Sequence, residues 1–184
     1  MSQQTWVETL ITSQVDGPIL TAAAAATAIP AAAKITLPNN YFEIGRSLRI
    51  TASGKISSLI TTPGTARFDV RLGGTVVFDS LAILLDTVAG HTNVGWWLEI
   101  LLTCRAIGAT ANLMGQGKWT SEDILGVPAT APKGVLTAML PWNSAPAVGG
   151  NFDNGLANTL DLFFTQTVAT GSLTVLQYAV ESMN

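Results

Sequence analysis

The sequence predicts an all-β chain folded as two antiparallel sheets, a sandwich of jelly-roll type. Three observations carry that expectation. Apolar and polar residues alternate with period two along most of the 184 residues, and clusters of Gly, Pro and Asn separate the alternating runs. The runs number about eight to ten, at the spacing usual for sandwiches and barrels. A chain of this length buries one core and is too short for two comfortable ones. The expected division is an N-terminal arm with the first strands over 1–30, then a single sandwich domain over 31–184 with a long loop at about 121–157.

At the N-terminus, "TWVETLI" and "PILTAAAAATAI" read as strands, with a short helix as the competing reading for the Ala-rich segment. In "RSLRITASGKISS", Leu48, Ile50, Ala52, Gly54 and Ile56 fall on one face, while Ser47, Arg49, Thr51, Ser53 and Lys55 fall on the other. One face packs and the other meets water. "TARFDVRL" repeats the pattern, with Ala66, Phe68, Val70 and Leu72 inward and Arg67, Asp69 and Arg71 outward. Gly73 and Gly74 then supply the positive φ angles of a tight hairpin, and "TVVFDS" returns as its partner.

"GWWLEILLTCRAIG" follows, its β-branched residues and tryptophans favouring a strand over a helix. Trp96, Leu98, Ile100, Leu102, Cys104 and Ala106 form a core side. Trp97, Glu99, Leu101, Thr103, Arg105 and Ile107 form a second side that mixes charge with large apolar groups, so something is expected to cover it in part. In "IGATANLMGQGKWTSE", Gly115 and Gly117 share a face with Leu113 and suggest close approach of another backbone or a bulge. The pattern lapses over 121–157, with at most one short strand around "GVLTAML". A connection this long in a compact domain is usually functional or an elaborated surface loop, and Trp142 is a contact candidate within it. Alternation resumes in "NTLDLFFTQTV", with Leu160, Leu162, Phe164 and Val168 opposite Asp161 and Phe163. "ATGS" then reads as a hairpin loop, and "SLTVLQYAVESM" as a strand apolar on both sides.

Only 11% of the residues are charged, against about 25% in an ordinary soluble domain. Thr, Ser, Asn, Gln, Ala and Gly must therefore build the exterior, and a neutral surface is covered by other subunits with little charge desolvation. A net charge of -3 and scattered basic residues argue against a direct nucleic-acid partner. "MSQQTW" lacks the basic and apolar regions of a secretory signal, and no run is long and apolar enough to be expected in a membrane. The single cysteine, Cys104, excludes an internal disulfide and reads as a small buried apolar residue, although pairing across a symmetric interface stays open.

Tests for chemistry return little. His91 is the only histidine, with Asp86 five residues away, and no Gly-x-Ser-x-Gly elbow exists to supply a nucleophile. Glu122 and Asp123 are adjacent but point opposite ways in an extended chain. Asp153 in "NFDNGLAN" resembles a turn, with Ca²⁺ a weak competing reading because the spacing does not match an EF-hand. "LGG" and "VGGN" are not phosphate loops. No enzyme activity, cofactor or metal is expected. The five tryptophans suit core and interface anchors better than sugar-stacking platforms, because they are scattered along the chain.

"IPAAAKITLPNNYFEIGRSLRITASGKISS", "LMGQG" and "LQYAVESMN" resemble a group of small, uncharacterised structural proteins of tailed bacteriophages and prophages. The resemblance spans most of the chain and lies in strand wording. It implies a non-enzymatic virion protein, foremost a capsid decoration (cement) protein on the outer surface of the head. Such a protein would bind the major capsid protein and associate with itself as a trimer. The alternative is a head-fibre, neck or tail receptor- or glycan-binding domain. Interface candidates are Trp6, Trp97, Leu101, Ile107, Trp142, Phe163 and Tyr178.

Overall fold

The computed structural model describes residues 6–123 and 137–183. Among them are twelve strands and one 3-10 turn, Ala31–Ala33. The strands are β1 (Val7–Thr12), β2 (Ala25–Thr27), β3 (Ile35–Leu37), β4 (Ser47–Ser58), β5 (Thr65–Leu72) and β6 (Thr75–Asp79). They continue with β7 (Ile83–Leu84), β8 (His91–Ala106), β9 (Asn112–Ser121), β10 (Thr137–Leu140), β11 (Asn158–Gln166) and β12 (Ser172–Met183).

One sheet runs β1-β12-β4-β8-β9-β10, and the other runs β2-β11-β5-β6 with β3 on β11 and β7 on β5. The pairings β1/β12, β2/β11, β4/β8 and β5/β6 are all antiparallel. Each pairs two strands within one sheet, and the chain passes between sheets at β1–β2, β3–β4, β4–β5, β7–β8, β10–β11 and β11–β12. Four wrapped ribbons of this kind make a jelly roll, with β9 and β10 widening the first sheet. The expected two-sheet antiparallel fold is therefore the observed one.

Burial follows the alternation read from the sequence. Leu48, Ile50, Ala52 and Ile56 of β4, Ala66, Phe68, Val70 and Leu72 of β5, and Trp96, Leu98, Ile100, Leu102 and Cys104 of β8 are all in the core. Phe68 is its hub, with its ring 5.1 Å from Trp119, 5.2 Å from Phe164 and 5.4 Å from Trp96. Those four rings come from β5, β9, β11 and β8, so the aromatic cluster ties one sheet to the other. Gly73 and Gly74, at φ 55° and 93°, make the turn between β5 and β6.

The two glycines of β9 serve close approach, as their spacing suggested. A Cβ on Gly115 would lie 2.3 Å from the Phe78 ring, and one on Gly117 would lie 2.5 Å from the carbonyl oxygen of Glu99. The "GVLTAML" strand is observed over Thr137–Leu140, and Val148 and Phe152 bridge back to Met114 and Ala111. The remainder of that expectation, 124–136, lies outside the described residues.

Two readings are corrected. "ATGS" is not a hairpin loop: β11 pairs with β2, β3 and β5, whereas β12 pairs with β1 and β4, so this connection arches from one sheet to the other. Period-two alternation reports which face of a strand is buried and says nothing about which strand lies beside it. The second correction is Tyr178, expected at an interface and found 3% exposed in the core. Its register slips at a bulge between Val175 and Gln177. The extra residue leaves both Leu176 and Gln177 exposed and turns Tyr178 and Val180 inward.

Candidate functional site

The outer face of the β1-β12-β4-β8-β9-β10 sheet is the surface to which the mixed side of β8 belongs. Register places Gln177, Ser53, Trp97, Thr120 and Thr137 in one row across five strands. The next row along is Ala179, Thr51, Glu99, Lys118 and Met139, followed by Glu181, Arg49, Leu101 and Gln116. Trp97 is 46% exposed and Leu101 42%. Between them the Glu99 carboxylate accepts from the Lys118 ammonium at 3.0 Å, and Arg49 meets Glu181 at 2.6 Å. Hydroxyl and amide groups occupy much of the rest: Thr120 and Thr137 lie 2.9 Å apart, and the Ser53 hydroxyl donates to Gln177 Oε1 at 3.3 Å.

Beside Trp97 the face dips into a trough of about 260 Å³. Trp97 forms one wall, Thr51, Ser53 and Gln177 the floor, and Thr12 and Ser13 at the end of β1 the opposite side. The expectation that something covers this side of β8 is met only in part. No described residue lies over the Trp97 ring closely enough to bury it, and half the indole faces solvent.

The other sequence candidates do not converge on this trough. Trp6, 65% exposed, precedes β1 at the sheet edge, where Val7 pairs with Met183, far along the strands from the Trp97 row. Ile107 is exposed in the turn after β8. Trp142 is partly buried against the core, and its backbone N–H donates to Ser80 at 2.8 Å. Phe163 lies on the outer face of the second sheet, covered by the Arg71 guanidinium 3.7 Å from its ring centre. Arg71 also pairs with Asp69 at 2.5 Å, and the neighbouring Asp161 is paired with Lys34 at 2.5 Å. Phe163 is thus already covered within its own chain. Sequence reasoning missed Thr12, Ser13 and Gln177, because β1 reaches the trough only through its pairing with β12, and Gln177 meets Ser53 only through the pairing of β12 with β4.

One titratable cluster lies elsewhere, at the end of the sandwich. His91 Nε2 is 2.9 Å from Asp86 Oδ2, and the Ser58 hydroxyl donates to Asp123 Oδ1 at 2.7 Å. Asp123 is fully buried, and burial pushes its carboxyl above the usual carboxylate range, partly offset by the Ser58 hydrogen bond. Burial also acts upward on Asp86, but hydrogen bonds from His91 and from the backbone N–H groups of Val88 and Ala89 together hold it below that range. Ser58 is buried and turned to a carboxylate, not to the imidazole, so the cluster pairs no nucleophile with its base. Asp153 accepts from the Gly155 N–H at 2.8 Å, and the Asn154 side chain is held on the Phe42 backbone at 3.1 Å on both its atoms. Those oxygens make a turn and a staple. Cys104 is fully buried, burial pushes its thiol up, and it donates to the Ala106 carbonyl, which leaves it out of reach of a second copy.

No family model and no curated protein matches this chain. Among solved structures it is similar to the CBM2 module of the evolved Dit of Lactobacillus casei BL23 phage J-1, with 10% identity over 99% of this chain and 98% of that one, at a TM-score of 0.40. At that level the likeness carries no argument, and function has to be read from the surface itself.

Proposed function

We propose that this protein is a non-catalytic recognition module of a bacteriophage virion, a receptor- or glycan-binding domain of the tail, working through the outer face of its six-stranded sheet. The placement in a virion rests on the strand wording shared with small phage structural proteins. The single observation that carries the recognition reading is the composition of the face around Trp97. One exposed indole stands among hydroxyls and amides, and the charges of Glu99 and Arg49 are neutralised in pairs with Lys118 and Glu181. A surface of this kind suits a polar, uncharged partner that binds and releases. Permanent subunit burial favours a more apolar core to the contact patch.

Capsid decoration is the second reading, and one observation favours it: Leu101, Met139 and the edge residues Trp6 and Val7 are exposed apolar groups of the sort a shell lattice would seal. A decoration protein would stabilise the assembled shell by binding it alone. Immunogold labelling of purified particles separates the two. Label at the tail supports recognition; label distributed over the head overturns it in favour of decoration.

A further inference from the structure

We infer that the trough beside Trp97 is a subsite for one neutral pyranose ring, a proposal that rests on the recognition reading and names its ligand class. Among the described residues no Asp, Glu, Lys or Arg lines the trough. On the same face Glu99 and Arg49 are paired with Lys118 and Glu181, and Lys55, two residues along β4 from Ser53, lies outside the lining. An ionic ligand would find no counter-charge within the trough itself. A wholly apolar ligand would strip water from Thr51, Ser53, Thr12 and Gln177 and return nothing, at a cost of about 1–3 kcal/mol per unmet polar group.

A sugar ring combines an apolar C–H face with a rim of hydroxyls, and both halves have counterparts here. The π face of Trp97 carries partial negative charge and attracts polarised C–H groups. Around it stand groups that both donate and accept: the Thr51 and Thr12 hydroxyls, and the Gln177 amide, whose Oε1 accepts from Ser53 and whose amino group keeps its donors.

Size sets the stoichiometry. About 260 Å³ falls below the roughly 300–1,000 Å³ of pockets that enclose drug-sized ligands, so the trough takes a ligand of about one ring and leaves the remainder of a longer chain on the open sheet. The row continues past Trp97 to the Thr120 and Thr137 hydroxyls, which extends the polar track in the direction a polymer would take.

The test is a titration of the full-length protein with glucose, galactose, N-acetylglucosamine and their β-linked dimers, read by saturation-transfer NMR and calorimetry, beside a parallel assay of adhesion to host cells. A neutral saccharide should bind, Trp97→Ala should weaken it about tenfold or more, and Trp97→Phe should recover part of the loss. Gln177→Ala should weaken it several-fold, and Val88→Ala, exposed in the loop before β8, should leave it unchanged. Equal binding by the folded Trp97→Ala variant overturns the subsite and leaves recognition standing. Adhesion to cells without binding of any neutral saccharide overturns the ligand class. Loss of both overturns the recognition reading as well.

Discussion

Asp86 and Asp123 meet through the backbone: the N–H of Asp86 donates to the Asp123 carbonyl at 3.1 Å, while their two carboxyls are displaced in opposite directions from the ordinary value. Asp86 sits low, so its contribution is present above the unfolded value near 3.9 and is lost as the pH falls through its folded pKa. Asp123 sits high, so its contribution is full below about 3.9 and is lost as the pH rises through its folded value. Asp123→Asn, which mimics the neutral carboxyl, should therefore leave stability at neutral pH undiminished and abolish the decline that accompanies ionisation of Asp123 as the pH rises above about 3.9. Urea unfolding from about pH 4 to about pH 8 checks this, and an unchanged pH slope in the variant would count against it.

The bulge on β12 rests against Gly54 of β4, where a Cβ would lie 1.9 Å from the Thr174 carbonyl oxygen and 3.1 Å from the Trp96 ring. Backbone cannot give way as a side chain does. Gly54→Ala should cost about 1–3 kcal/mol or more, measured by thermal or denaturant unfolding. Gly45→Ala is a different case, since nothing lies within 4 Å of its Cβ but its φ is 93°, so its cost should come from backbone strain alone.

Phe68 touches three rings drawn from both sheets. Phe68→Ala should lower stability by about 3–5 kcal/mol, since the cavity would lie where the sheets face each other and neither can collapse into it. Trp97→Ala, half in water, should cost about 1 kcal/mol or less. A large loss at Trp97 would mean that the indole holds the sheet together and would weaken its use as a contact group.

Arg71 covers Phe163 and holds Asp69, which is 2% exposed. Removing the guanidinium strands a buried carboxylate. Arg71→Ala should destabilise by about 2 kcal/mol, and Arg71→Lys should recover only part, because an ammonium lacks the planar fork and the stacking face. Chemical denaturation of the three proteins ranks them.

How far the fold could be read in advance follows from which contacts are local. The buried faces of β4, β5 and β8 and the Gly73–Gly74 turn were legible because alternation and turn chemistry belong to a strand and its immediate neighbour. The inward turn of Tyr178 was not. It depends on a bulge that forms only opposite Gly54, a residue remote in sequence that has no side chain to betray the contact. The arch after Gln166 was hidden for a similar reason, because the pairings that place β11 on β5 and β12 on β4 join residues remote in sequence. At the candidate site, Trp97 and Leu101 stood out as apolar groups on a mixed face. The polar half of the trough did not, because Thr12, Ser13 and Gln177 are unremarkable residues until β1 is laid along β12.

The central claim is that the outer face of the six-stranded sheet is left open in the particle to meet a partner outside it. A cryo-EM map of the intact virion tests this most directly. The account predicts this jelly roll on the tail, with Trp97 and Gln177 facing outward and uncovered. Finding the same sheet pressed against the capsid lattice with Trp97 sealed beneath it would contradict the account, as would particles that contain no copy of the protein.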